Sequence, residues 1–157
     1  MKKYLLEELL PHRAPMILVN GVESYNFEEK MLVAGTQFDE QSIFYVPTQN
    51  GVPAYVGIEL MAQTVGLLSG IFAREIENHT PRIGFLLGSR SYKNYIEKFE
   101  LHQKYKITAQ QIFFQDGFGK IICTIHDTAG TLAAEAELNV YRTQSDSVEE
   151  ALSLLNN

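Results

Sequence analysis

The chain contains no tryptophan and a single cysteine, and these shortages narrow the classes of protein it can belong to. One cysteine excludes an internal disulfide and a zinc site built from cysteines. Basic residues are also in the minority, with 13 Lys and Arg against 19 Asp and Glu, for a net charge of -6. Because phosphate binding needs a basic surface, we expect no nucleic-acid partner.

Other absences concern location and cofactors. The first eight residues lack the uninterrupted apolar core of a signal peptide, which favours a cytoplasmic protein. No histidine pair has metal-ligand spacing and no glycine-rich phosphate loop is present, so neither a metal nor a cofactor is predicted. At 157 residues, 45% of them hydrophobic, the chain is expected to form one domain over residues 1–157.

The longest apolar stretch, residues 52–72, predicts a helix over residues 54–76. Its apolar residues cover nearly every face, which is typical of a helix enclosed by other elements. The stretch is also long enough to span a membrane. Pro53, Glu59 and Gln63 weigh against that alternative, because an acidic charge at mid-span costs about 2.5–3.5 kcal/mol. We therefore predict a core helix and no membrane span.

Strands are predicted on both sides of this helix. Residues 17–27 and 31–38 precede it, and residues 83–87, 104–115, 120–127 and 131–141 follow it. Short turn sequences connect the last three strands into an antiparallel meander. A short helix is predicted over residues 148–155. Together these elements indicate an α+β fold whose sheet wraps the helix and leaves an edge or face open for dimerisation.

Glu59 lies inside the apolar helix and is the first candidate for chemistry. A carboxyl group withdrawn from water and tuned toward neutral pH suits a general acid or base. Gln63 lies one turn further along the same helix face, where it can orient Glu59 by a hydrogen bond. The free amides of the helix start, at Ala54 and its neighbours, can bind a developing oxyanion. The alternative for Glu59 is an ion pair with an arginine inside the fold.

Two more features carry candidate residues. His12 lies between Pro11 and Pro15, in a segment rigid enough to hold an imidazole in place as a base. Alternatively, His12 makes a structural hydrogen bond that fixes the N-terminal turn. Residues 82–106 are locally basic in an acidic chain, which indicates either a docking patch for an acidic partner or an ordinary solvated face. The basic residues predicted to dock a partner are Arg82, Arg90 and Lys93.

Two motifs resemble those of the hotdog-fold 3-hydroxyacyl-acyl carrier protein dehydratases FabZ and FabA. Residues 10–19 are similar to the LPHRYPFLLVD opening of FabZ, and residues 53–63 to its PGVLIIEALAQ helix. Residues 56–63, followed by residues 82–88, are closer still to the ApeP-type dehydratases of aryl polyene pathways. Over residues 10–141 the resemblance implies a hotdog dimer that acts on acyl-carrier-protein thioesters. It further implies that Glu59 is the general acid and that the Ala54 amide polarises the thioester carbonyl.

One position departs from the family pattern. The family's catalytic histidine stands in a GHFP motif fourteen residues before the acid, where this chain has Tyr45, with Pro47 at the motif's proline. Tyrosine, with a reference pKa of about 10, is a poor base. Three outcomes are open. His12 replaces the missing base, Tyr45 acts with Glu59 in a changed mechanism, or the chain is a weakly active partner that binds acyl chains.

The resulting prediction is a dehydratase that converts 3-hydroxyacyl thioesters of acyl carrier protein into trans-2-enoyl thioesters. Glu59 and His12 are its predicted catalytic residues, and Ala54, Tyr45 and Gln63 are predicted to contact substrate. Two alternatives share the fold. One is an acyl-binding subunit of a heteromeric dehydratase, and the other is an acyl thioesterase whose helix carboxylate activates water. The resemblance is compatible with a homodimer or with a heterodimer formed with a related dehydratase.

Overall fold

The computed structural model describes residues 2–82 and 84–143, together with Ser153 and Asn156. The helix predicted over residues 148–155 lies outside the described residues except for Ser153. The described elements, in chain order, are α1 (Leu6–Leu9), β1 (Gly21–Asn26), β2 (Met31–Gln37), β3 (Gly51–Pro53), α2 (Gly57–Glu75), β4 (Gly84–Asn94), β5 (Lys98–Glu100), β6 (Lys104–Gln115), β7 (Phe118–Asp127) and β8 (Leu132–Arg142).

A six-stranded antiparallel sheet wraps α2, and its strand order is β1-β2-β6-β7-β8-β4. The predicted meander of the last three strands is therefore confirmed. Alternate residues of β7 (Ile121, Cys123 and Ile125) are buried, whereas the residues between them are half-buried or exposed. This period of two matches the strand pleat and gives the sheet one face toward the core.

Helix α2 forms the core of the fold, as predicted. A short 3-10 turn over Ala54–Val56 precedes it, so the two together nearly match the predicted span. Leu60, Met61 and Leu67 are fully buried. By length and composition this helix can cross a membrane, but 61% of its most apolar window is buried inside the fold. Burial of this extent identifies it as the core helix of a sheet-wrapped domain.

Two short strands and two strand boundaries differ from the prediction. Strands β3 and β5 pair in a separate sheet, where Val52 and Phe99 are opposite each other and fully buried. Strand β1 begins only at Gly21, because the backbone N–H of Leu18 donates to the Gln63 side chain instead of to a strand. Strand β4 continues to Asn94, paired along its length with β8.

Two glycines of α2 allow the chain before His12 to lie directly against the helix. A Cβ atom at Gly66 would approach Leu10 Cδ2 to 2.7 Å, and one at Gly70 would approach the Leu9 carbonyl oxygen to 2.8 Å. Side chains at these positions would force the two segments apart. The close approach fixes Leu9 and Leu10 in the core and so sets the path of the residues that follow.

The single cysteine is expected to be unreactive in the folded protein. Cys123 is fully buried, and this burial raises the pKa of its thiol to about 12. Because the thiolate is the nucleophile, iodoacetamide at pH 8 is expected to leave Cys123 unmodified while the protein is folded. Mass spectrometry should show no adduct in native buffer and one adduct in guanidinium chloride. Rapid modification of the folded protein would contradict this placement.

Candidate active site

A cavity of about 490 Å³ runs along one face of α2 and contains the candidate catalytic residues. Glu59 and His12 line one end of it, and Phe72 near the end of the helix lines the other. At a rise of 1.5 Å per helical residue, this corresponds to a length of about 20 Å. Most of the remaining lining is apolar, from Leu9, Leu10, Phe27, Ala62, Val65, Leu68, Phe85, Leu86, Phe114, Ile121 and Val140. The space suits an elongated apolar ligand.

His12 and Glu59 meet inside this one chain. His12 Nε2 lies 3.3 Å from Glu59 Oε1, and the two side chains are 32% and 34% exposed. The expectation that apolar surroundings enclose Glu59 is therefore wrong, because the first turn of α2 directs it toward the cavity end. The alternative, an ion pair between Glu59 and an arginine, is not found among the described residues. The contact is slightly longer than a normal hydrogen bond, as is common for catalytic pairs without substrate.

The second possibility for His12, a hydrogen bond that fixes the N-terminal turn, is not observed in the described part of the chain. His12 Nδ1 is buried without a hydrogen-bond partner. Arg13 instead makes the local bonds, since its Nη1 donates to the carbonyls of Leu10 at 3.1 Å and His12 at 2.7 Å. The imidazole is thus left to contact Glu59.

Gln63 connects Glu59 to the segment that follows His12. Its Nε2 donates to Glu59 Oε1 at 3.0 Å and to the Met16 carbonyl at 2.7 Å. Its Oε1 accepts from the Leu18 N–H at 2.8 Å. The predicted hydrogen bond to Glu59 is present, whereas the two backbone bonds were not foreseen. Gln63 is fully buried, so it holds the carboxylate and the 16–18 segment in fixed relation.

The two carboxylate oxygens of Glu59 have different surroundings. Oε1 faces both His12 and Gln63, whereas no described residue forms a hydrogen bond to Oε2. Because the Gln63 amide can only donate to Oε1, a proton on Glu59 is best placed on Oε2. That oxygen is therefore available to a ligand in the cavity.

The backbone groups at the start of the helix form more hydrogen bonds than predicted. The Ala54 N–H donates to the Glu97 carbonyl at 3.2 Å, so the prediction of an unpaired amide is wrong for Ala54. The Ala54 carbonyl accepts from the Tyr92 hydroxyl at 2.5 Å. Burial raises the pKa of Tyr92 to about 12, which keeps this hydroxyl a donor. These bonds follow from the β3–β5 ladder, which continues into the helix start.

Tyr45 is not brought to Glu59 within the chain. It is half-buried in the loop before β3, where its N–H donates to the Ser42 carbonyl at 3.0 Å. It is not among the residues that line the cavity. Within one chain, His12 and not Tyr45 is the side chain next to the carboxylate.

The three predicted docking residues do not form one patch. Arg82 is half-buried and lines the cavity, whereas Arg90 and Lys93 are exposed on β4. At a rise of about 3.3 Å per strand residue, Lys93 lies about 30 Å along β4 from Gly84, and Arg82 precedes that end of the strand. Lys93 lies opposite Glu135 on β8.

The end of the cavity beyond Phe72 contains charged residues that sequence reasoning missed. Arg142 Nη2 lies 3.3 Å from Glu77 Oε1, and His79 Nε2 lies 2.7 Å from Glu77 Oε2. The Arg142 guanidinium lies 4.7 Å from the centre of the Phe114 ring. These residues come from the segment after α2 and from strands β6 and β8, so only the folded sheet brings them together. Among the described residues, no cluster of three His, Cys, Asp or Glu side chains can hold a metal ion.

Comparison with known proteins places this geometry in a family. The model of the ApeP-like family, described as ApeP dehydratase, matches residues 4–153. The 3-hydroxyacyl-[acyl-carrier-protein] dehydratases FabZ of Chlamydia caviae and Chlamydia pneumoniae are 34% and 32% identical to the chain over 91 residues. Those alignments cover 56% of this chain, and the chain spans only 58% of the length of these relatives.

Solved structures agree with the family match. A chain of the dehydratase heterocomplex ApeI:P from Xenorhabdus doucetiae superposes with a TM-score of 0.84 and 25% identity, covering 99% of this chain and 100% of that one. A hypothetical thioesterase from Streptococcus pneumoniae TIGR4 superposes with a TM-score of 0.61 at 16% identity, covering 80% and 87% of the two chains. The second likeness shows the hotdog fold alone. With its fold and nearly its whole length matched, the chain belongs to the ApeP-like family of dehydratases.

Proposed function

We propose that this chain is a 3-hydroxyacyl-acyl carrier protein dehydratase that forms trans-2-enoyl thioesters. The observation that carries the proposal is the contact of His12 with Glu59 at the end of a long, mostly apolar cavity. A base and an acid side by side are what the elimination of water from adjacent carbons requires. Membership of a dehydratase family and the names of the FabZ relatives support the same chemistry.

In this mechanism, His12 Nε2 takes the proton from the α-carbon of the thioester. The electron pair of that C–H bond forms the Cα=Cβ double bond, and the β-hydroxyl leaves as water with the proton from Glu59 Oε2. His12 then holds one proton and Glu59 has lost one. Return of that proton from His12 to Glu59 Oε2 through solvent, which reaches both of these partly exposed side chains, restores the starting state. The active form therefore carries one proton between the two side chains.

The thioester carbonyl also needs a hydrogen-bond donor while its α-carbon loses a proton. We assign this role to the amides that follow Ala54 at the helix start, because the Ala54 N–H itself is bonded to the Glu97 carbonyl. Gln63 acts one step further from the substrate, since it holds Oε1 of Glu59 and leaves Oε2 for the leaving hydroxyl.

We further propose that the chain is a single hotdog domain that works as a dimer, and that its partner is a related dehydratase. Strand β4 lies at an edge of the six-stranded sheet and exposes Leu86 and Leu87 to 42% and 47%, an edge that a second sheet can extend. The likeness to a chain of the ApeI:P heterocomplex supports a heterodimer, and a homodimer is the second candidate. Because this chain contributes both His12 and Glu59, Tyr45 is not required as a base.

The substrate and the setting are proposed from the same features. Aromatic side chains near the far end of the cavity favour an aryl-capped chain, as expected for aryl polyene synthesis in the cytoplasm. These residues are Phe27, Phe72, Phe85, Phe114 and Tyr141. The exposed Arg90 and Lys93 remain the proposed contacts for the acidic carrier protein.

Incubation of the purified chain with a 3-hydroxyacyl carrier protein, alone and with an ApeI-type partner, tests this function. Mass spectrometry of the acyl group is expected to show loss of one water in a reaction that requires this chain. Release of free carrier-protein thiol without loss of water would identify a thioesterase instead. Turnover by the partner at the same rate with and without this chain would leave only the acyl-binding role.

A further inference from the structure

The cavity ends in an excess of positive charge. Glu77 is shared between His79 and Arg142, so the one carboxylate that the described residues place at this end already has two partners. Arg82 lines the same end and is half-buried. It makes no ion pair or hydrogen bond with any residue in the described part of the chain. A guanidinium with five N–H donors thus faces the cavity without an acceptor.

The lining between the two ends determines which part of a substrate lies there. From Glu59 to Phe72, the cavity face of α2 contributes Ala62, Val65, Gly66, Leu68 and Ser69, of which only Ser69 has a polar side chain. On this helix face a pantetheine arm, with two amides, would find only the Ser69 hydroxyl as a side-chain hydrogen-bond partner. A hydrocarbon chain fits, and its distal end then lies about 20 Å from Glu59, beside Arg82.

We infer that Arg82 binds an oxygen-bearing group at the distal end of the acyl chain and makes the enzyme selective for chains that end in one. This inference rests on the proposed dehydratase function. A terminal hydroxyl, carbonyl or carboxylate supplies the acceptor that Arg82 lacks. A terminal methyl group would displace water from the guanidinium and return no hydrogen bond. Arg82 is therefore a specificity-determining residue and not a carrier-protein contact.

The test compares three 3-hydroxyacyl carrier-protein substrates of equal length that end in a methyl, a hydroxyl or a carboxylate. With the chain and its partner subunit, kcat/KM is expected to be about tenfold or more higher for the oxygen-bearing ends than for methyl. Arg82→Met should remove this preference, because kcat/KM falls for the oxygen-bearing ends and the guanidinium that a methyl end would desolvate is gone. Lys104→Met, an exposed cation outside the cavity, should retain the preference.

Binding measurements separate a failure of this inference from a failure of the proposed function. Thioether analogues with the same three ends are titrated into wild type and Arg82→Met by calorimetry. If no substrate turns over but wild type alone prefers the oxygen-bearing analogues, the selectivity stands and the dehydratase function fails. The inference would be overturned if wild type bound all analogues equally or bound none of them. It would also be overturned if Arg82→Met showed the same preference as wild type. An equal loss on all three carrier-protein substrates in Arg82→Met, with unchanged analogue binding, would make Arg82 a docking residue and overturn it as well.

Discussion

Glu59→Gln is expected to lower kcat for dehydration by about 10²- to 10⁴-fold, the range that general acid catalysis usually contributes. The amide is nearly the same size as the carboxyl group and still accepts the Gln63 hydrogen bond, so the fold is expected to survive. What it lacks is a proton for the leaving hydroxyl. Rates of water loss, measured by mass spectrometry on saturating substrate, give kcat directly, and circular dichroism checks the fold.

His12→Asn is expected to cause a loss of similar size, because no other described side chain beside Glu59 can act as the base. The double variant His12→Asn/Glu59→Gln should be no slower than the slower single variant, since residues that act as one unit have non-additive effects.

A second histidine–carboxylate pair, on the protein surface, provides a matched control. His102 Nε2 lies 3.1 Å from Glu40 Oε2, but these side chains are 61% and 55% exposed and lie outside the cavity. His102→Asn and Glu40→Gln should therefore leave kcat unchanged. Full activity in His12→Asn would refute the base assignment, and a loss in Tyr45→Phe equal to that of His12→Asn would favour the mechanism in which Tyr45 takes part.

The parts of the fold that the sequence predicts well are those whose pattern is local. Helix α2 and strands β6, β7 and β8 have a clear helical or strand period, and their observed bounds lie within a few residues of those predicted. Strands β3 and β5 have three residues each, too few to show any period. They exist because Val52 and Phe99 are buried opposite each other, and that pairing spans a large separation in sequence.

The candidate site likewise has contacts that a local sequence pattern predicts and contacts that depend on the folded structure. The pair Glu59 and Gln63 follows from helical spacing, since residues four apart share a face. The contact of His12 with Glu59 depends on the two close approaches at Gly66 and Gly70, which only the packed structure specifies. Arg82 is visible in the sequence as a basic residue. Its position at the cavity end depends on where β4 begins against β8, which a local sequence pattern does not specify.

Gln63→Leu is expected to reduce both stability and activity. The leucine leaves the Leu18 N–H unsatisfied in the core, which costs about 1–3 kcal/mol, and it also removes the bond to the carbonyl of Met16, an exposed residue that water can reach. For a domain of this size the loss corresponds to a melting temperature lower by about 2–12 °C. Thermal unfolding followed by circular dichroism measures it, and Gln37→Leu, which loses one exposed hydrogen bond, should change stability by only about 0.5 kcal/mol.

Gln63→Glu separates the role of Gln63 in positioning Glu59 from its role in the fold. The new carboxyl group, buried beside Glu59, still accepts from the Leu18 N–H, but with one O–H it can donate to only one of the two acceptors, the Met16 carbonyl and Glu59. The variant therefore loses one of the bonds that hold the Glu59 carboxyl group in place, directly or through the 16–18 segment. In the folded variant kcat is expected to fall by about tenfold with KM nearly unchanged. A kcat equal to that of wild type would limit Gln63 to a structural role.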